Sequence, residues 1–137
     1  MEPGDIRAIR EKLGLSQAEL ATLVGFSIRA IQSCEQGWRQ PSPALEKMVL
    51  LMYMAETQGA GFGSERCWEV QPCPLVTREA CIAYRTRQGH LCWFLTGTLC
   101  RGQRMADWRQ KRARCTACAF FQRLMSPPPD RDPAQHE

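Results

Sequence analysis

Histidine is scarce in this sequence, with only His90 and His136, and no motif surrounds either of them. Nucleophilic mechanisms of the Ser-His-Asp or Cys-His type need a histidine base, so we do not expect an enzyme or a small-molecule substrate. No apolar run approaches the roughly 18 residues that a membrane span needs. The chain begins MEPGDIR, without the apolar core of a secretory signal. We therefore expect a cytoplasmic protein with no membrane partner.

Cysteine, by contrast, is abundant. Eight cysteines among 137 residues is a high number for a cytoplasmic chain, where reducing conditions disfavour a disulfide framework. Clustered cysteines in such a chain are more typical of metal binding or redox sensing. The candidate metal ligands are the seven cysteines of the second half: Cys67, Cys73, Cys81, Cys92, Cys100, Cys115 and Cys118. The eighth, Cys34, falls on an inward helical position and is interpreted as a small core residue.

Charge is unevenly distributed along the chain. Residues 1–57 carry 6 Lys or Arg against 7 Asp or Glu, residues 58–125 carry 11 against 4, and residues 126–137 carry 1 against 3. Contacts with phosphate supply most non-specific affinity for nucleic acid. If residues 1–57 bind nucleic acid, they therefore need a few well-placed cations, or residues 58–125 must supply additional phosphate contacts. The basic run at 109–114, RQKRAR, either faces nucleic acid or is a solvated helix face.

The stretch SQAELATLVGFSIRAIQSCEQG, residues 16–37, predicts two short helices joined by a tight turn. Ser16 and Glu19 have the spacing of a capping box. Gly25 ends the first helix, because glycine enters the left-handed conformation without a Cβ penalty. Ser27 begins the second helix and Gly37 ends it.

Two further helices flank this pair. One is expected between Asp5, a possible cap, and Gly14. The other is expected from about Ala44 to Ala55, after a proline-bounded connector at 38–43. Its apolar residues cover more than one side, so it either closes the helical core or also forms part of a dimer seam.

Several residues of this region form a recognisable motif: Ser16, Gln17, Ala18, Glu19, Leu20, Ala21, Gly25, Ser27, Ile31, Glu35, Gln36, Gly37 and Pro41. With them, the chain from about Ile6 to Ala55 resembles the lambda-repressor-like (Cro/C1, or XRE) helix-turn-helix family. The resemblance implies a homodimer on double-stranded DNA, with the second helix of the motif in the major groove. It also implies an ion pair between Arg10 and Glu35 that ties the first helix to the second motif helix.

The expected DNA contacts lie on this second helix and beside it. Arg29 is the best base-reading candidate, because its planar guanidinium can bond guanine O6 and N7 together. Ile28 either meets a thymine methyl group or packs on the turn, and Arg39 either touches phosphate or is solvated. The resemblance implies that Gln17 contacts phosphate and braces the second helix. The full expected set is Gln17, Ser27, Ile28, Arg29, Gln32, Ser33 and Arg39.

The cysteine-rich segment contains a weak internal repeat. The repeated units are Cys67-Trp68 followed by Cys73, and Cys92-Trp93 followed by Cys100. With the closing Cys115-Thr-Ala-Cys118, residues 66–122 resemble the bacterial "two-CW" cysteine-rich domain, which is found fused to regulators and sensory proteins.

The spacing of the cysteines leaves the metal open. Cys115 and Cys118 can hold one metal from a single turn, but a zinc ribbon would need a second closely spaced pair, which the sequence lacks. An iron–sulfur cluster, with four cysteine ligands, is preferred. Structural zinc is the alternative, and His90 could supply an eighth ligand if there were two zinc sites. A disulfide or free redox thiols remain open as well.

The sequence therefore predicts an all-α helix-turn-helix domain at 1–57 and a linker at 58–64. A small cysteine-rich, metal-stabilised domain with little regular structure follows at 65–123, and a disordered proline-rich tail at 124–137. We expect a sequence-specific DNA-binding transcription regulator whose cysteine-rich domain senses redox state, oxygen or metal. The alternative is a DNA-binding protein with a purely structural zinc module for dimerisation or partner docking.

Overall fold

The computed structural model describes residues 3–126, and the predicted tail beyond residue 126 lies outside the described residues. The chain divides into two compact units, Met1–Glu56 and Thr57–Glu137. Residues 58–64, predicted as a linker, contain the end of a long helix and a 3-10 turn at Gly59–Gly61. No helix of the described chain has the length and apolar character needed to span a bilayer.

The first unit is built from helices α1 (Pro3–Lys12), α2 (Gln17–Val24), α3 (Ile28–Glu35) and α4 (Pro43–Gln58), the last of which continues past the unit boundary. Helix α1 begins before Asp5, the predicted cap, because proline is tolerated in a first turn whose N–H groups need no partner. Helix α4 begins at a proline as well and is longer than predicted at both ends.

The predicted caps of α2 and α3 are present. The Ser16 hydroxyl accepts from the Glu19 N–H at 3.1 Å, and the Glu19 carboxylate accepts from the Ser16 N–H at 2.9 Å. Gly25 ends α2 with φ 76°, a conformation that favours glycine. The Ser27 hydroxyl accepts from the Ala30 N–H at 3.1 Å. Gly25 therefore determines where α2 ends, and Ser27 determines where α3 begins.

The core of the first unit draws on all four helices. Its buried members are Ile6, Ile9, Leu20, Ala21, Val24, Ile31, Cys34, Leu45 and Val49. Cys34 is only 1% exposed, and burial raises the pKa of its thiol. It therefore stays neutral and packs as a small apolar residue, as expected from its position.

The second unit contains short helices and one small hairpin. The helices are α5 (Cys67–Val70), α6 (Leu75–Ala80), α7 (Ile82–Arg85), α8 (Trp108–Thr116) and α9 (Ala119–Leu124), with a 3-10 turn at Gly89–Leu91. Strands β1 (Leu99–Cys100) and β2 (Gln103–Arg104) pair antiparallel, with Cys100 opposite Gln103. The expectation of little regular structure understated the helix in this unit.

The second unit packs around Trp93, whose side chain is fully buried. The Trp93 ring meets the rings of Phe94 and Phe121 edge-on, with centroids 5.6 and 6.4 Å away. Met105 and Phe120 are also almost completely buried. This apolar centre lies beside the cavity described below, because Phe121 contributes to both.

Candidate functional sites

One face of helix α3 is exposed to solvent. Ser27 and Arg29 are exposed at its start, and Ile28 is 44% exposed although it is apolar. Within residues 3–126, no carboxylate pairs with Arg29. Its guanidinium is therefore available to an external acceptor. Ser33, further along the helix, is partly buried.

A buried ion pair holds α3 against α1. Arg10 Nε donates to Glu35 Oε2 at 2.8 Å, and Arg10 Nη2 donates to Oε1 at 3.0 Å. The side chains are 13% and 4% exposed, and the hydrogen bond to Glu35 raises the pKa of Arg10. Arg10 Nη1 also donates to the carbonyl of Leu15 at 2.9 Å. The predicted pair is present, and it is bidentate, the geometry in which a guanidinium holds a carboxylate most firmly.

Gln17 and Gln32 extend this network across the turn. Gln17 Nε2 donates to Glu35 Oε1 at 3.3 Å, and Gln17 Oε1 accepts from Gln32 Nε2 at 3.4 Å. Gln17 therefore links the start of α2 to α3. Both amides are partly buried, so a DNA contact by Gln32 would have to share its amide group with Gln17.

The segment after α3 is open. Trp38 is 79% exposed and Arg39 is exposed. Gly37, with φ 81°, reverses the chain just before them. Arg39 is thus exposed to solvent shortly after the end of α3.

All seven cysteines of the second unit line one cavity. The cysteines come from α5 and the loop after it, the α6–α7 junction, the end of the 3-10 turn, β1, α8 and the α8–α9 junction. Each is a free thiol. The residues predicted as metal ligands are all among the residues that line this cavity: Cys67, Cys73, Cys81, Cys92, Cys100, Cys115 and Cys118.

Both cysteines of the two Cys-Trp pairs line this cavity, and so does Trp68 of the first pair. The Cys92 thiol donates a hydrogen bond that lowers the pKa of Cys67, while the same bond and burial raise the pKa of Cys92 well above its usual range. Trp68 packs edge-on against Tyr84, with ring centroids 5.0 Å apart. A Cβ at Gly89 would lie 2.6 Å from Trp68 Cζ3, so glycine there lets the indole approach the backbone.

Cys115 and Cys118 lie on the turn between α8 and α9. The Cys118 N–H donates to the Cys115 carbonyl at 2.9 Å, and Cys118 is the cap residue of α9. Burial raises the pKa of Cys115 to about 11. The sequence predicted this single-turn arrangement from the spacing of the two cysteines.

Hydrogen-bond donors point at several of the sulfurs. The Leu99 N–H donates to Cys81 Sγ at 3.4 Å, and Gln71 Nε2 donates to Cys118 Sγ at 3.4 Å. Lys111 Nζ donates to Cys100 Sγ at 3.3 Å. These contacts fix the orientation of the three sulfurs within the cavity.

Lys111 is the cavity residue that sequence reasoning missed. It belongs to the basic run 109–114, which we interpreted as a nucleic-acid contact or a solvated face, yet its side chain is fully buried. The available signal was its position one helical turn before Cys115, which places both on the same face of α8.

The donor set has the chemistry of a soft-metal site, since thiolates select zinc and iron–sulfur clusters. Among the described residues, no three Cys, His, Asp or Glu side chains are grouped closely enough to hold one metal ion. His90 is not among the residues that line the cavity; it packs edge-on against Phe62, with ring centroids 5.8 Å apart. It is therefore a poor candidate for the eighth ligand of a two-zinc arrangement.

Comparison with known proteins bears on the first unit. No curated protein and no solved structure matches the chain significantly. A protein-family model described as Helix-turn-helix matches residues 6–52, which include α2, α3 and most of α1 and α4. The likeness of residues 66–122 to the two-CW domain stays a prediction. Residues 6–52 are thus similar to helix-turn-helix domains of the XRE type, and this similarity suggests a DNA-binding transcription regulator.

Proposed function

We propose that the protein is a sequence-specific transcription regulator whose second unit carries an iron–sulfur cluster and responds to redox state or oxygen. One observation carries this proposal: seven free cysteines converge on one cavity in a chain that also contains a helix-turn-helix domain. A cluster of this kind accepts and donates single electrons when it is bound.

The DNA-reading part of the proposal rests on α3. In helix-turn-helix proteins the N-terminal residues of the second helix contact base edges. Arg29 occupies that part of α3, is exposed and has no carboxylate partner within residues 3–126. The Arg10–Glu35 pair holds α3 against α1, and the Gln17 amide holds it against the start of α2. The domain acts as a homodimer in this proposal, with two copies of α3 about 34 Å apart, one turn of DNA.

The cysteine cavity supplies more donors than a single centre needs. Cys67 and Cys92 are hydrogen-bonded to each other, and Cys115 and Cys118 share one turn. Cys92 and Cys115 are also close enough to interact electrostatically. No three donors of the described residues are grouped closely enough to hold a metal ion as the cavity stands, so these four are our proposed ligands on the condition that they close around the cluster when it binds. The N–H donor at Cys81 and the amide donor at Cys118 would orient the thiolates and tune the potential.

In this proposal, binding to the operator is regulated by the charge of the centre in the second unit and by whether its ligands hold it. Loss or oxidation of such a centre would change the packing around Cys67 and Cys92, each of which is followed in the chain by a tryptophan, Trp68 or Trp93. In this proposal, the change reaches the contact between the two copies of the chain, and the distance between their two α3 helices changes with it. Because half-site spacing is fixed by the DNA, a shift of a few ångströms would weaken operator binding.

The test begins with protein purified without oxygen. We expect iron and acid-labile sulfide in equal amounts and a visible absorption band that air bleaches. A colourless protein that retains stoichiometric zinc would overturn the cluster and favour the structural zinc module.

DNA reading is tested separately by selecting bound duplexes from a random pool. Arg29→Ala should relax the selected sequence at one or two positions, with a loss of about 10-fold in the affinity for the selected site. Arg7→Ala removes an exposed arginine from α1 and serves as the matched control. If Arg29→Ala selected the same duplex sequences as the unmodified protein, α3 would not be the helix that reads the bases.

A further inference from the structure

We infer that arginines of the β1–β2 hairpin and of α8 form a phosphate-binding surface, through which the second unit adds sequence-independent affinity for duplex DNA. We call it the hairpin arginine surface, and its members are Arg101, Arg104 and Arg114. The inference rests on the proposed function in one respect, that duplex DNA is the partner. It needs no occupant in the cysteine cavity.

The three arginines lie close together on neighbouring elements. Arg114 Nη2 donates to Gln103 Oε1, so the end of α8 lies against β2. Arg101 and Arg114 are both among the residues that line the cysteine cavity. Arg104 follows Gln103 on β2, and its Nη1 donates to the Gly97 carbonyl at 3.3 Å. Arg101 and Arg104 are exposed and Arg114 is partly exposed, so the charge of this region faces solvent.

No carboxylate of the described residues forms an ion pair with the hairpin arginine surface. Most carboxylates of the second unit are engaged elsewhere. Glu65 pairs with Arg123 at 2.6 Å, and Glu69 lies 3.9 Å from Arg66. The Asp107 carboxylate caps the start of α8. The positive charge of the surface is therefore not balanced from within the described part of the unit.

The backbone of the hairpin turn gives a second, independent argument. The turn has two residues, Arg101 and Gly102, and both have positive φ, 54° and 80°. These are the φ values of a type I′ turn, which favours asparagine, aspartate or glycine at its first position. A long side chain is uncommon in this conformation. Turn geometry therefore does not explain an arginine at position 101, whereas a guanidinium exposed at the end of a hairpin can reach an external acceptor.

The distribution of charge makes duplex DNA the partner that fits this surface. Residues 1–57, which include the helices similar to helix-turn-helix domains, carry 6 Lys or Arg against 7 Asp or Glu. Residues 58–125 carry 11 against 4. Contacts with phosphate supply most non-specific affinity for DNA, and a guanidinium can bind two phosphate oxygens together. The first unit lacks the surplus of cations that such contacts need, and the second unit has it.

The experiment measures the affinity of the full-length protein for a random duplex and for the selected duplex over a range of salt concentrations. Arg101→Asn removes the charge and introduces a residue that the turn favours, so the fold should be retained. We expect affinity at low salt to fall by about 10-fold for both duplexes alike, and the salt slope to fall by roughly 0.9, the value of one phosphate contact. Arg104→Gln should behave in the same way, and Arg101→Lys should keep the slope of the unmodified protein.

Arg87 supplies the matched control. It is exposed, belongs to the second unit and follows α7 with φ 59°. Arg87→Asn therefore removes the same charge from the same backbone conformation at another place. Its affinity for both duplexes should stay within about 2-fold of the unmodified protein. A loss equal to that of Arg101→Asn would show that net charge matters and not position, and would overturn the inference.

Circular dichroism checks the folding of every variant. If Arg101→Asn did not fold, Arg104→Gln would carry the same test, because Arg104 has no left-handed backbone to disturb. An unchanged salt slope in the folded variants would overturn the inference, and so would a loss of affinity for single-stranded RNA alone. Either result, with sequence selection through Arg29 intact, would leave the proposed function standing. A wild-type protein without affinity for any duplex would contradict the proposed function as well.

Discussion

At the scale of single residues, the Arg10–Glu35 pair decides how rigidly α3 is held. Glu35→Gln would leave the Arg10 charge unpaired with its side chain only 13% exposed. We expect the free energy of unfolding of the first unit to fall by about 3 kcal/mol. Urea denaturation followed by circular dichroism measures this loss.

The chain offers a control for this change in the exposed pair of Arg7 and Glu11. Their side chains are 67% and 58% exposed, and Arg7 Nε lies 3.1 Å from Glu11 Oε1. Water already screens this pair, so Glu11→Gln should cost less than about 0.5 kcal/mol. Equal losses in the two variants would show that the Arg10–Glu35 pair is no more than a surface contact.

The two buried cations differ in how far the sequence could predict them. Arg10 and Glu35 stand at positions that the helix-turn-helix resemblance pairs, so their contact was expected. Lys111 stands in an arginine-rich run, where composition favours a solvated face. Its burial depends on a cavity assembled from distant segments. The spacing of one helical turn from Cys115 places Lys111 on the face of that cysteine, but it does not show by itself that this face is buried.

At the scale of elements, Gly89 controls how Trp68 packs against the 3-10 turn at Gly89–Leu91. A Cβ at Gly89 would lie 2.6 Å from Trp68 Cζ3 and 2.7 Å from Arg66 Cβ. Gly89→Ala should therefore force the indole or the turn to move and destabilise the second unit by about 1–3 kcal/mol. Tryptophan fluorescence during denaturation reports both the displacement and the loss.

Gly61→Ala is the matched control, because nothing lies within 4 Å of its added Cβ and its φ is not positive. We expect a change within about 0.5 kcal/mol. If Gly89→Ala behaved like Gly61→Ala, the close packing of Trp68 on this turn would be wrong.

The elements of the two units were predictable to different degrees for a physical reason. Ser16, Glu19, Gly25 and Ser27 are local signals, and the structure uses each of them as the sequence predicts. The second unit has a helix of four residues at Cys67–Val70 and strands of two residues. Elements this short carry no periodicity, so contacts within the whole unit decide them.

At the scale of the whole molecule, the two units differ in what stabilises them. The first has a core of nine buried apolar residues drawn from four helices. In the second, seven free cysteines and a fully buried lysine surround a cavity beside a smaller aromatic centre. On the proposed function, metal–thiolate bonds supply the stabilisation that this unit lacks, because metal binding and folding are then coupled.

Metal removal should therefore act on one unit and spare the other. After chelation under reducing conditions, we expect hydrogen exchange in residues 65–126 to accelerate by at least 10-fold, because their thiolates lose the centre that joins them. Residues 6–52 should exchange at unchanged rates, and they serve as the internal control in the same mass-spectrometric measurement. Full protection of residues 65–126 after removal of the metal would show that the aromatic packing around Trp93 is sufficient to hold this unit. Loss of protection throughout the chain would show that the helical core at 6–52 depends on the second unit for its stability.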